Sequence, residues 1–268
     1  MDDFWQKQDP KRPLFTDAIW SKPERRDQAG RLAIIGGSSS GFAAVAVSFQ
    51  TALKTGIGDL RIIMPDSLKR KIPAAITNQM AGLAWAPSNP SGGFAMSAKR
   101  YIEAAAEWSG QVLFIGDSGA NSETAQLISG FIIDKDYQDT KITIARDAVD
   151  LLVYDAESIL NRKGCHLIVS LAQFQKLARA VYYPRMITFS QGIKQMAETL
   201  HKFTITYSVT ITLFHDGNLF VANSGQVVSQ PFDSPMRVWN GDIPTREAVW
   251  LVWQSDPVMA IASSWVSK

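Results

Sequence analysis

Short, mostly apolar runs recur along this chain, each stopped by glycine or a polar turn and followed by a stretch of helical spacing. Residues 32–35, Leu-Ala-Ile-Ile, halted by Gly36-Gly37, have the pattern of a parallel strand buried on both faces. Residues 60–64, 112–115, 142–144 and 166–169 repeat it. Between the first two runs, Val45, Phe49 and Ala52/Leu53 recur at helical spacing, alanines at 43, 44 and 46 let a helix lie close on a sheet, and Gly56 stops it. Strand, helix and strand joined by short glycine turns make a right-handed βαβ unit. Further helical stretches at 95–108, from Ser122, at 147–161, 174–181 and 187–201 complete the alternation. The chain therefore predicts an α/β fold with a mostly parallel central sheet and helices on both faces.

After residue 202 the pattern changes. Residues 203–214 alternate and are rich in Thr, Ile and Val, and the turn pair Asp216-Gly217 leads into 219–221, which predicts a late β-hairpin at the sheet edge. Residues 223–243 read as a long loop, after which Pro244 opens a helix at its permitted first position, and 257–266 form another. Residues 67–72 read as a short helix, 74–86 as a mixed apolar stretch and 87–93 as a loop. Residues 1–30, rich in Pro, Asp, Lys and Arg with Phe4, Trp5, Phe15, Ile19 and Trp20 interspersed, read as an N-terminal arm that packs by its aromatics or meets a partner. The remainder, 31–268, reads as a single domain, and a homo-oligomer is among the expected assemblies.

Charge and composition narrow the function classes. With 27 basic and 25 acidic residues the formal net charge is +2, too small to argue for nucleic acid or a membrane surface. One cysteine, Cys165, excludes an internal disulfide, and the three histidines lack zinc spacing, so no protein-ligated metal is expected. The opening MDDFWQKQDPKRP lacks signal-peptide character and no run approaches a membrane span, which predicts a cytoplasmic protein.

Two stretches carry candidate chemistry. In a βαβ unit, ligands lie beyond the carboxyl ends of the strands, which singles out the turn at 36–41. Gly36-x4-Gly41 has the glycine spacing of a P-loop, but Phe42-Ala43 stand where Lys-Ser/Thr must hold phosphate and magnesium. A dinucleotide fingerprint needs glycine at 38, which is serine. Gly37-Ser38-Ser39-Ser40-Gly41 is formally a nucleophile elbow, which would make Ser39 a nucleophile and His215-Asp216 its partners, or else a tight turn with capping serines. The second stretch is Asn240-Gly241-Asp242-Ile243-Pro244. A helix start presents unpaired N–H groups and partial positive charge, so Asn240 and Gly241 are candidate phosphate contacts and Asp242 a candidate general base; the alternative is that Asp242 only caps the helix.

The run GRLAIIGGSSSGFAAVAVSFQTALKTGIGDLRIIMP resembles the opening of the ADP/ATP-dependent NAD(P)H-hydrate dehydratases, ribokinase-like proteins also called the YjeF C-terminal family. There a first strand ends in Gly-Gly-Ser, a small-residue helix follows, and Gly-x-Gly leads into the second strand. Gly241-Asp242 resemble the last two positions of the family's Gly-Gly-Ser/Thr-Gly-Asp anion hole, with Val238 and Trp239 in place of earlier glycines. GDSGANSET resembles the glycine-rich substrate loop, and TIARDAVDLL the Asp-Ala-Asp-Ala-Leu segment, with the second aspartate kept as Asp147. The histidine segment falls at Ser170-Leu171-Ala172-Gln173 without its histidine, and the family's Lys-Gly falls near Thr206-Tyr207-Ser208 without its lysine. The resemblance implies a ribokinase-like fold and a divergent dehydratase, in which ATP or ADP with Mg2+ phosphorylates the hydroxyl of hydrated NAD(P)H and phosphate is then lost. It implies Asp242 as base, Asn240 and Gly241 on the nucleotide side, and Gly36, Gly37, Ala43, Gly116 and Gly119 on the substrate side. A catalytically inactive ribokinase-like binding or scaffold protein, and a small-alcohol kinase, are the alternatives.

Overall fold

The computed structural model describes residues 4–266, whose strands join in one ten-stranded sheet. In chain order these are β1 (Trp5–Lys7), β2 (Arg31–Gly36), β3 (Asp59–Pro65), β4 (Leu83–Ala86), β5 (Gln111–Gly116), β6 (Ile142–Ala145), β7 (Cys165–Val169), β8 (Thr210–His215), β9 (Asn218–Asn223) and β10 (Gln226–Pro231). Across the sheet the order is β1-β10-β9-β8-β7-β6-β5-β2-β3-β4, and β9 alone runs antiparallel to both its neighbours. Connections after β2 step one way and those after β5 the other, so the strand order reverses between β2 and β5. A crevice opens at such a reversal, outside the carboxyl ends of the strands.

The helices are α1 (Ala43–Thr55), α2 (Ala74–Thr77), α3 (Lys99–Trp108), α4 (Ser122–Ile133), α5 (Asp147–Asp150), α6 (Ala156–Leu160), α7 (Leu171–Ala180), α8 (Ile193–Thr206), α9 (Met236–Trp239), α10 (Asp242–Trp253) and α11 (Pro257–Val266). Alternation along the strands explains their division. In β2, Leu32 and Ile34 enter a core shared with α1, α10 and α11, while Ala33 and Ile35 enter the opposite core with α3, α4, α7 and α8. Each apolar run is thus covered twice, as its continuous hydrophobicity requires. On the first face a buried polar row crosses four strands. Gln111 Nε2 donates to Thr143 Oγ1 at 2.8 Å, His166 Nδ1 lies 3.3 Å from that hydroxyl, and His166 Nε2 lies 3.0 Å from Thr212 Oγ1. Glu247 of α10 comes down on this row, its Oε2 3.2 Å from His166 Nε2 and its Oε1 accepting from Trp265 Nε1 of α11 at 2.7 Å.

Several expected elements differ in detail. The hairpin turns at Asp216-Gly217, both at positive φ, as a two-residue turn of this twist requires. Its first strand starts only at Thr210, because 203–206 continue α8. A second turn of the same kind, Ser224-Gly225, adds β10 where a loop was expected, and β1 pairs parallel outside β10. The antiparallel hairpin therefore lies toward this end of the sheet, with the N-terminal segment as the true edge. There Trp5 Nε1 donates to Ser229 Oγ at 2.9 Å and Phe4 stacks on His201. At the other edge, β4 emerges from the mixed apolar stretch. Residues 66–68 form a 3-10 turn, α8 begins at Ile193, and α10 begins at Asp242, leaving Pro244 inside the first turn where a missing N–H costs nothing. Among the described residues no helix is long and apolar enough to cross a membrane.

Candidate functional site

The ends of β2 and β5 meet too closely for side chains. A Cβ on Gly36 would lie 2.5 Å from the Gly116 carbonyl, and Gly37 N–H donates to that carbonyl at 2.8 Å with φ +91°. Glycine is needed at this approach. Beyond it, Ser38 and Gly41 close a turn by mutual backbone bonds of 2.9 and 3.0 Å, and Ala43 stands exposed at the start of α1. Gly119 faces Ser38 across the crevice. The structure thus brings Gly36, Gly37, Ala43, Gly116 and Gly119 to one mouth, at the point where strand order reverses.

Charged groups brace that mouth. Asp147, opening α5, accepts from the N–H groups of Asp117, Ser118 and Gly119 at 2.7, 2.9 and 3.2 Å, which holds the loop after β5 as a nest around one carboxylate. Asp117, left-handed at φ 56°, accepts from Ala44 N–H at 2.9 Å, placing a negative charge at the start of α1. Its other oxygen pairs with the Arg146 guanidinium, which also donates to the Trp239 carbonyl. Arg146 itself has φ 60° and ψ −140°, a backbone conformation that a non-glycine residue holds only when its surroundings enforce it. These contacts across the crevice supply that enforcement.

The α10 start abuts the mouth, an added Cβ on Gly241 lying 3.6 Å from Ile115 beside Gly116, but the Asp242 carboxylate is turned along α1. Gly241, at φ +103°, fits between Ala44 and Ser48 of α1, where a Cβ would come within 3.0 Å of both. The Asp242 carboxylate then turns onto the flank of α1. It accepts from Arg237 Nε at 2.5 Å, from Arg246 Nε at 3.2 Å and from Thr51 Oγ1 at 3.2 Å. Thr51 is eight residues beyond Ala43, about 12 Å along the helix. Burial pushes the Asp242 carboxyl up, but the two guanidiniums outweigh burial and hold it below the usual carboxylate range. Asn240 bonds back to Asp242 N–H at 3.0 Å, and the α9 turn occupies the residues just before it.

A carboxyl lowered by folding contributes stability above its unfolded pKa, near 3.9, and loses it as pH falls through the folded value. Wild type should therefore exceed Asp242→Asn in urea midpoint at pH 7, with the gap closing as pH falls below about 4. A gap that widens in acid would reject the ion pairs as its source.

The other candidates separate. Ser39 Oγ donates to the Ser91 carbonyl at 3.1 Å, while His215 sits at the end of β8, four strands away, with Nε2 2.6 Å from the Gln191 carbonyl. At about 4.8 Å per strand those residues are roughly 19 Å apart across the sheet, so no serine triad assembles. The Cys165 thiol is buried and burial pushes it up to about 12. Among the described residues no three His, Cys, Asp or Glu side chains converge as a metal site. At the mouth the oxygens of Asp117 and Asp147 all accept from N–H or guanidinium donors, so no carboxylate stands free there to hold magnesium by itself. The arginines at 146, 237 and 246 escaped the sequence reading; only Arg246, four residues after Asp242 on one helix, left a local signal.

No family model matches the chain, and no curated protein matches it. Solved structures do. A ribokinase-like superfamily protein from Enterococcus faecalis aligns over 100% of this chain and 87% of its own at 13% identity, with a TM-score of 0.73. The fold is ribokinase-like. An ADP/ATP-dependent NAD(P)H-hydrate dehydratase from Bacillus subtilis, co-crystallised with ATP and Mg2+, aligns over 95% of this chain and 86% of its own at 13% identity and TM-score 0.61. A phosphomethylpyrimidine kinase from Clostridium difficile covers 87% of this chain and 96% of its own at 12% identity and TM-score 0.55. On this ribokinase-like sheet the mouth between β2 and β5 keeps its glycines, while Asp242 is engaged elsewhere.

Proposed function

We propose that this chain is a ribokinase-like ligand-binding protein, related to the NAD(P)H-hydrate dehydratases, in which recognition at the glycine mouth persists and phosphoryl transfer has been given up. The observation that carries this reading is the Asp242 carboxylate, held by Arg237, Arg246 and Thr51 on the flank of α1. A general base must reach the proton it removes and be free to take it. Two arginines deny Asp242 both. The α9 turn adds to the case, because Val238 and Trp239 stand where an anion hole needs glycine. The lysine and histidine that the resemblance would supply are absent from 206–208 and 170–173. The braced loop 116–119 and the turn 36–41 remain as a polar cleft suited to a hydrated nicotinamide nucleotide.

A second reading, an active dehydratase with Asp242 as base, is favoured by Gly241-Asp242 at the start of a long helix. Recovery of NADH from its hydrate with ATP or ADP and Mg2+ separates the two. Wild type and Asp242→Asn are both expected to run at the uncatalysed rate, while calorimetry detects the hydrate binding to each. Turnover that falls by about 100-fold or more in Asp242→Asn would establish the second reading. Absence of both turnover and heat would reject the nicotinamide ligand.

A further inference from the structure

Away from the mouth, a cavity of about 600 Å³ lies between α7 and the segment that follows it. That volume is in the range of small-molecule sites. One wall is α7, through Gln175, Ala178 and Arg179; the other is the returning chain from Tyr183 to Phe189. The returning chain is pinned. Tyr183 N–H donates to the Ala178 carbonyl at 2.9 Å, Gln175 Nε2 donates to the Ile187 carbonyl at 2.7 Å, and Ile187 is buried. Farther on, the His215 contact to Gln191 fixes its end.

Two features of the lining call for a ligand. Arg179 and Arg185 have no carboxylate partner among the described residues, whereas the nearby Lys176 is neutralised by Asp150 at 2.6 Å. Around these, Met186 and Phe189 are 82% and 73% exposed, large apolar side chains held in water beside two unpaired cations. An anion would pair with the guanidiniums, and an apolar body would cover Met186 and Phe189.

We infer that the α7 cavity is a binding site for a small amphipathic anion, a carboxylate or sulfonate carried on an aromatic or aliphatic body. It is separate from the glycine mouth and independent of the reading given for it. The probe that tests it is 8-anilinonaphthalene-1-sulfonate. The native protein is expected to bind one equivalent, seen as a saturable rise in fluorescence. Arg179→Ala with Arg185→Ala should weaken binding at least tenfold. Both side chains are exposed, so circular dichroism and melting temperature should stay unchanged. Tyr183→Phe, which keeps the ring packed on Phe203 and removes a hydroxyl closed off from the cavity, should leave binding unchanged. Equal binding by the double-arginine variant, or equal binding of the uncharged N-phenyl-1-naphthylamine to wild type, would overturn the site.

Discussion

Glu247→Ala is expected to destabilise the protein by about 2–5 kcal/mol, the range for a large side chain cut back to alanine in a closed core. Glu247 is fully buried and His166 is 2% exposed, so water cannot replace what the carboxylate supplies. Its removal leaves the buried Trp265 indole without the acceptor it has among the described residues, worth about 1–3 kcal/mol, and opens a void beside His166, whose Nε2 keeps Thr212. The same residue ties α10 and α11 to the middle of the sheet, so the loss falls on the packing of both helices. Glu247→Gln, which keeps the volume and an acceptor for Trp265, should cost about 1–2 kcal/mol. Urea unfolding at neutral pH measures both; a cost below about 1 kcal/mol for alanine would show that the network adds little.

Asp147→Ala should cost roughly 3 kcal/mol and also loosen the mouth, because one carboxylate holds three backbone donors. Asp117 would lose the support for its left-handed backbone, and with it the Arg146 pair and the charge at the start of α1. Gly116→Ala attacks the same nest from the other side: its Cβ would lie 2.2 Å from Asp147 Oδ1 at φ +86°. Hydrogen exchange reports the outcome directly. Faster exchange of the Asp117 to Gly119 amides, with the protein still folded, is expected in both variants; unchanged protection would mean that the loop is held by its neighbours alone.

How far the sequence showed this architecture depends on the kind of signal. β2, β3 and β5 to β7 are short, mostly apolar runs stopped by turns, the pattern that burial on both faces leaves even with Arg61, Thr143 and His166 among them. β10 escaped because Ser229 and Gln230 are polar yet buried in the sheet, and β4 because only four residues, mostly half-buried, carry it. The end of α8 reads as strand from Phe203-Thr204-Ile205-Thr206, but burial of Phe203 and the Thr204 hydroxyl bonding back to Leu200 overrode β propensity. At the site, glycine turns were legible because their backbone geometry demands glycine. The cross-crevice pairing of Asp117 with Arg146 was not, since nothing local couples residues brought together only by the sheet. The environment of Asp242 was half legible: a helix-start aspartate announces itself, but which way its side chain turns depends on Arg237 and Thr51.

The parallel pairing of β1 with β10 sets an order of events during synthesis. The Trp5 indole meets a partner 224 residues later in the chain. At about 5–20 residues per second, a ribosome leaves Phe4 and Trp5 without their strand for roughly 11–45 s. β1 is thus made long before it can be seated, and its aromatics travel with the nascent chain until β10 is synthesised.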